Sequence, residues 1–172
     1  MFPVRAAPTV SQLSGCLMGP QRIEIIQVAA GVIERSGRYL ICQRRDGDTF
    51  GGYWEFPGGK RHPGERWEAC LRRELLEELG VRVRPTAFVG SFRHRDAHRR
   101  LFLRVFRCAI VEGRLRALYP QALRWVLPGA LRRYRFPPAN RPLIAQLSRR
   151  LNRTGRNGTM DVRRSAGREV RR

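Results

Sequence analysis

Between residues 23 and 147 the chain alternates short apolar runs with turn-forming punctuation, and the period of the runs changes along it. The segments IEIIQVAAGVIE (23–34) and RYLICQRR (38–45) are rich in β-branched and large apolar residues and predict two strands joined by a Ser36-Gly37 turn. YWEFP (53–57) predicts a short strand that stops at a Pro57-Gly58-Gly59 turn. Leu71, Leu75 and Leu79 then recur at helical spacing, so a helix is expected over 66–79, closed by Gly80 at its C′ position. VRVRPTAFVGSFRHR (81–95) and RRLFLRVFRCAIVEG (99–113) return to strand character and form an expected antiparallel pair. LRWVL (123–127) reads as a further strand, and ANRPLIAQLSRRL (139–151) as a closing helix that tolerates Pro142 in its first turn. Strands around one central helix, with a second helix at the end, imply an α/β fold in which a mixed sheet is covered on both faces.

The flanks lack this patterning. Residues 1–21 read as a disordered leader, and Met18 is an alternative start because the patterned sequence begins directly after it. Residues 152–172 are polar, glycine-bearing and arginine-rich, and read as a disordered tail. One folded domain over 22–151 remains, and a chain of 172 residues is long enough to bury a real core. No apolar run approaches the roughly eighteen residues that cross a bilayer. The N-terminus has no continuous apolar segment of the secretory kind, and an amphipathic transit peptide is poorly supported, so a cytoplasmic protein without membrane contact is expected, acting as a monomer. Cys16, Cys42, Cys70 and Cys108 form no CxxC pair and no zinc-type cluster with His62, His94 and His98; they read as reduced thiols, three of them buried.

The net charge of +21 points toward a polyanionic partner. Lys60 is the only lysine among 35 basic residues, however, and an arginine skew of that kind can follow from genome composition without selection at each site. Nine arginines also stand in residues 148–172, against Asp161 and Glu169. Charge alone therefore implies weak attraction to phosphates, and nucleic-acid contact by the tail is left open.

Against this basic background, the helix expected over 66–79 concentrates Glu74, Glu77 and Glu78. Like charges three and four apart repel by a few tenths of a kcal/mol per pair. At 100° per residue, Glu77 and Glu78 fall about −60° and +40° from Glu74, so all three share one arc, while Leu71, Leu75 and Leu79 lie beside it at roughly 60° to 140° and can anchor the helix. A solvated acidic face is the ordinary explanation of such a run. It does not account for acids gathered in so basic a chain, nor for the glycines ahead of them. Hard carboxylate oxygens together suit Mg²⁺ or Mn²⁺. Arg73, four residues before Glu77, can orient the cluster, and the Pro57-Gly58-Gly59 turn can offer a carbonyl oxygen to the same ion.

Gly59, Glu65, Arg73-Glu74-Leu75, Glu77-Glu78 and Gly80-Val81, separated in turn by five, seven, one and one residues, match the Nudix box at every specified position. The chain thus resembles the Nudix hydrolases. The resemblance implies an α/β/α sandwich with a central catalytic helix, and divalent-metal hydrolysis of a nucleoside diphosphate linked to another group. It implies that Glu74, Glu77 and Glu78 bind the metal and activate water, that Glu65 and Arg73 support them, and that the Gly58 carbonyl is a metal ligand. Whether Glu74 or Glu77 is the base stays open.

WEFPGGK (54–60) and FPPANRPLIAQL (136–147) are similar to the MutT-type branch, so the resemblance covers about residues 23–147. That branch removes oxidised purine triphosphates such as 8-oxo-dGTP, giving the monophosphate and pyrophosphate by attack at the β-phosphorus, and so prevents mutation. Carried over, Asn140 reads the purine edge, since an amide offers both donors and an acceptor. Phe56 lies against the base, Arg44 or Arg45 stands near the phosphates, Lys60 and Arg99 are further phosphate candidates, and Glu55 and Pro57 join the substrate side. Asn140 has an ordinary alternative as the N-terminal cap of the closing helix. One departure is Tyr119, which stands where the branch often carries an additional glutamate, so the helix carboxylates are expected to carry the chemistry alone. A pyrimidine triphosphate, a dinucleoside polyphosphate or a sugar nucleotide are rival substrates, and a nucleic-acid-binding protein on the same scaffold is a rival function.

Overall fold

Ser36 and Gly37 hold positive φ angles of 49° and 69°, the backbone of a type I′ turn, whose twist matches that of flanking strands. They fold strand β1 (Glu24–Arg35) back on β2 (Arg38–Gln43) as the sequence predicts, with Glu34 opposite Tyr39. The computed structural model describes residues 23–149, so the readings made of the leader, Met18, Cys16 and the tail lie outside the described residues. The remaining elements are β3 (Trp54–Glu55), β4 (Gly58–Lys60), α1 (Trp67–Leu79), β5 (Arg82–Arg95), β6 (Arg99–Glu112), β7 (Ala122–Val126) and α2 (Arg141–Ser148), with 3₁₀ turns at Pro128–Arg133 and Pro138–Asn140.

The strands make one mixed sheet in the order β3-β2-β1-β6-β5, to which β4 adds on β1 and β7 on β2. β5 and β6 form the expected antiparallel pair, running from Arg82 opposite Glu112 to Arg95 opposite Arg100. β1 lies parallel to β6, from Glu24 beside Arg99 to Ile33 beside Cys108. Parallel neighbours need a long connection, and here it contains β2, β3, β4, α1 and β5.

Each sheet face carries its own core, as an α/β sandwich requires. On one face Ala29, Ile33, Leu40 and Phe106 pack with Leu71, Leu75 and Leu79 of α1. On the other, Val32, Ile41, Leu103 and Val105 meet Leu131 of the first 3₁₀ turn and Leu143 and Leu147 of α2. The three α1 leucines are completely buried. At about 2 kcal/mol each, their burial far outweighs the few tenths lost to repulsion among the neighbouring glutamates. Gly80 ends α1 at φ 67° and ψ 25°, and its N–H bonds to the Leu76 carbonyl at 3.0 Å. Cys42, Cys70 and Cys108 are buried free thiols, as expected.

Two expectations need correction, and one element was not anticipated. Gly58–Lys60 is not only a turn but a strand, with Ala30 opposite Gly58 and Val28 opposite Lys60; glycine's weak strand preference conceals a pairing that β1 imposes. The closing helix begins at Arg141 rather than 139, because the prolines hold residues 138–140 in a tighter turn. Pro128–Arg133 forms a 3₁₀ turn that its sequence does not announce, yet it delivers the fully buried Leu131.

Candidate active site

Two glycines let a strand run directly against the acids of α1. Gly58 has φ 142°, and a side chain there would collide with the Ala29 carbonyl. A Cβ on Gly59 would occupy the place of the Glu74 carboxylate.

Arg73 is the hub of this edge. Its Nε and Nη2 donate to the two oxygens of Glu65, each at 3.0 Å. Nη1 donates to Glu74 Oε1 at 2.8 Å and Glu77 Oε2 at 3.2 Å, and Nη2 also reaches the Lys60 carbonyl at 3.1 Å. The His62 N–H adds a bond of 3.0 Å to Glu65. The Arg73 bonds, with that N–H, hold the Glu65 carboxyl down to about 2. The loop between β4 and α1 is thereby tied to the helix.

Glu78 is in the opposite condition. Burial first, and then the charges of Glu55 and Glu74, push its carboxyl up to about 8, while the Gly58 N–H and Arg44 pull the other way. Glu55 is also raised by burial, although Arg44 Nη1 donates to its Oε2 at 2.6 Å. Carboxylates short of positive charge are what a divalent cation relieves, and hard oxygens suit Mg²⁺ or Mn²⁺. Among the described residues no three His, Cys, Asp or Glu side chains gather closely enough to cage an ion by themselves. Glu77, the most exposed of the three at 57%, is paired with Arg73. A cation held by Glu74 and Glu78 fits if water and substrate phosphate supply its other ligands, the usual arrangement for Mg²⁺.

These acids form part of the wall of a cleft of about 720 Å³, the size of a nucleotide site. Ile26 and Val28 of β1, Leu101 and Leu103 of β6, Phe56 and the Pro137–Asn140 segment give it an apolar wall. Phe56 stacks on Phe136 with ring centroids 5.9 Å apart.

Of the residues singled out from the sequence, Arg44, Glu55, Phe56, Gly58, Lys60, Glu74, Glu77, Glu78, Arg99 and Asn140 line this cleft, and Glu65 and Arg73 stand behind it. Two do not reach it. Pro57 is buried, its carbonyl accepting the Gly31 N–H at 2.8 Å. Arg45 instead lies over the Tyr119 ring, 4.5 Å from its centroid, and bonds to the Tyr119 carbonyl at 2.6 Å. Of the two arginines, Arg44 is the one in the cleft wall. Arg99 is paired with Glu24 at 3.2 Å. Asn140 precedes α2, but its side chain makes no capping bond, and among the described residues it is the only carboxamide in the cleft wall.

Sequence reasoning missed the far rim. Asp48, Thr49 and Phe50 line the cleft together with Tyr119, whose hydroxyl donates to Asp48 Oδ1 at 3.1 Å. The Leu118 and Tyr119 N–H groups bond to the Glu78 carbonyl at 2.9 and 3.2 Å, fixing that rim to the end of α1. DGDTFGG (46–52) reads locally only as a turn, and the one available signal was Tyr119 itself. His94 and Asp96 also line the cleft without having been singled out as part of it.

A helix of buried-edge carboxylates, a glycine strand against it and an adjoining pocket of nucleotide size define a hydrolase that cleaves phosphoric anhydrides of nucleotides. The chain belongs to the Nudix family, whose NUDIX domain model matches residues 28–146, and it is a Nudix nucleotide diphosphatase. It is 36% identical over 122 residues to the CTP pyrophosphohydrolase of Escherichia coli K12, covering 71% of this chain and 90% of that protein. It is 40% identical over 127 residues to the putative 8-oxo-dGTP diphosphatase 2 of Mycobacterium tuberculosis H37Rv, covering 73% and 89%. The solution structure of the Escherichia coli ORF135 protein superposes with a TM-score of 0.65 at 33% identity, covering 79% of this chain and 96% of that one. Nudix hydrolases generally use a divalent metal, typically Mg²⁺. No helix among the described residues is long and apolar enough to cross a membrane.

Proposed function

We propose that this enzyme hydrolyses an oxidised purine nucleoside triphosphate of the 8-oxo-dGTP kind to the monophosphate and pyrophosphate, acting in the cytoplasm on the free nucleotide pool and so limiting mutation. The observation that carries the reading is Asn140. Its carboxamide is not engaged in capping α2, and it stands in an otherwise apolar stretch of wall with Pro137, Pro138 and Ala139. A lone amide among apolar groups is suited to reading the edge of a base bidentately. Relatives named 8-oxo-dGTP diphosphatase support the choice, including one from Haemophilus influenzae that is 36% identical over 125 residues.

In this reading the base lies in the apolar wall beside Phe56, and the phosphates lie toward Glu74 and Glu78. A divalent cation held there would neutralise phosphate oxygens and make a water acidic enough to attack. Arg73 holds the Glu74 carboxylate at the β4 edge, so that its position is set before substrate arrives. A carboxylate of α1 accepts the proton of the attacking water, and Lys60 stands in the wall as a cation for the phosphate chain.

A second reading is a cytidine triphosphate, favoured by the relative named CTP pyrophosphohydrolase. Cytosine also presents donor and acceptor edges that an amide can match. Initial rates with Mg²⁺ on 8-oxo-dGTP, dGTP, CTP, dCTP and diadenosine tetraphosphate separate the two. The proposal requires the highest kcat/KM on 8-oxo-dGTP; a preference for CTP or dCTP would replace it with the second reading.

A further inference from the structure

The sheet has a second exposed surface on the side away from the cleft. Residues opposite one another across a ladder point to the same face. Ala29, beside Arg104, and Phe106 pack under α1, whereas Leu101 and Leu103 line the cleft. By this register Phe102 and Arg104 of β6 share the α1 face with Gln27 of β1 and Arg93 of β5, and Arg100 shares it with Ile25 and Arg95. α1 covers only part of this face. Arg93, Arg95, Arg100 and Arg104 are exposed, and Ile25 is 62% exposed.

The arginines here are interleaved with rings. The Arg93 guanidinium lies 5.6 Å from the Phe102 centroid, and Arg104 and Arg61 lie 4.9 and 5.0 Å from that of Trp67. Of the other arginines on these two strands, Arg107 pairs with Glu34 at 2.8 Å, Arg82 with Glu112 at 3.5 Å and Arg99 with Glu24 at 3.2 Å, and only Arg84 also stands without an acidic partner among the described residues. Among the described residues no carboxylate lies within ion-pair distance of Arg93, Arg95, Arg100 or Arg104. Glu68, next to Trp67 in the chain, is the acidic residue on the adjoining helix turn. Arg95 and Arg100 stand directly opposite one another, a like-charge pairing that destabilises a sheet unless an anion lies across it.

We propose that this face, opposite the catalytic cleft, binds single-stranded nucleic acid, with Arg95 and Arg100 on the phosphates and Phe102 as a stacking platform for a base. Flat sheets bearing rings and guanidinium planes suit unpaired bases, whereas a duplex hides its base faces and a membrane asks for more apolar surface than Ile25 and Phe102 provide. The binding is separate from nucleotide hydrolysis and does not depend on which nucleotide is cleaved.

The test is fluorescence anisotropy of the full chain with a labelled single-stranded oligonucleotide of about 16 nucleotides, titrated across salt. Affinity should fall with a log–log slope of about −0.7 for each phosphate neutralised, which at about 0.1 M salt corresponds to about fivefold per contact. Arg95→Ser/Arg100→Ser should therefore weaken binding about 25-fold and flatten the slope by about 1.4. Phe102→Leu should weaken it about fivefold or more with the slope unchanged. Nucleotide hydrolysis should be the same in all these proteins. Wild-type affinity in the double arginine variant would move the binding to another basic segment and overturn the proposal. So would an absence of binding, equal affinity for a duplex with no effect of Phe102→Leu, or a preference for anionic phospholipid vesicles.

Discussion

Removing Arg73 tests whether the catalytic edge is held by one guanidinium. In Arg73→Gln the two bonds to Glu65, those to Glu74 and Glu77, and that to the Lys60 carbonyl are lost together. The bond to Glu77 carries little, because that side chain is 57% exposed and such pairs are worth at most about 0.5 kcal/mol. Glu74 is 14% exposed, so its charge-assisted bond falls in the range of about 1.5–3 kcal/mol before water replaces part of the loss. A net cost of about 2 kcal/mol follows, which for a domain of this size lowers the melting temperature by about 6–10 °C. Arg73→Lys should recover little of it, since an ammonium cannot reproduce a fork that spans three carboxylates. The freed Glu74 should also cost about 100-fold in kcat with a smaller change in KM, as misplacement by about 1 Å does. Calorimetric melting and pyrophosphate release on the preferred nucleotide measure both, with Arg72→Gln, a change at an exposed neighbour, as the control. A melting temperature within 2 °C of wild type, or kcat within fivefold, would show that Arg73 is not what positions Glu74.

Asn140→Ala should erase most of the discrimination between 8-oxo-dGTP and dGTP, a change in the ratio of kcat/KM worth about 1–3 kcal/mol for a bidentate contact; an unchanged ratio would leave Asn140 as no more than the residue before α2. Gly59→Ala should cost about 10²–10³ in kcat, because the new Cβ takes the place of the Glu74 carboxylate, and near-wild-type turnover would contradict the close approach of β4 to α1. Glu78 gives the metal-free protein an unusual pH dependence. Its carboxyl keeps its proton to about 8 in the folded chain but loses it near 4.5 in the unfolded one, so between those values the folded state binds more protons and stability falls as pH rises. Melting in EDTA should therefore be lower at pH 8.5 than at pH 6, and the difference should shrink in Glu78→Gln; an equal difference in that variant would assign the slope to other groups.

The turn at Ser36-Gly37, the end of α1 at Gly80 and the burial of Leu71, Leu75 and Leu79 were all legible because the forces behind them act within a few residues. A left-handed cap or a helical stripe needs only the residues next to it. The gathering of Glu74, Glu77 and Glu78 on one arc is likewise a consequence of helical pitch, and so is the reach of Arg73 to Glu77. The chain by itself therefore determined the acidic helix, its anchor and the mixed α/β composition.

Tertiary structure decided the rest. The parallel pairing of β1 with β6 joins segments separated by four strands and α1, and no local period encodes it. That pairing sets Ile26 and Val28 beside Leu101 and Leu103 and so makes the apolar wall of the cleft. Gly58–Lys60 became a strand because β1 offered an edge. Arg44 faces the cleft while Arg45 stacks on Tyr119, a choice set by where the two loops meet. The elevated Glu78 carboxyl depends on the burial and the neighbouring charges that folding brings around it. Periodicity and capping are written in adjacent residues, whereas desolvation and long-range pairing exist only once distant segments share one interior.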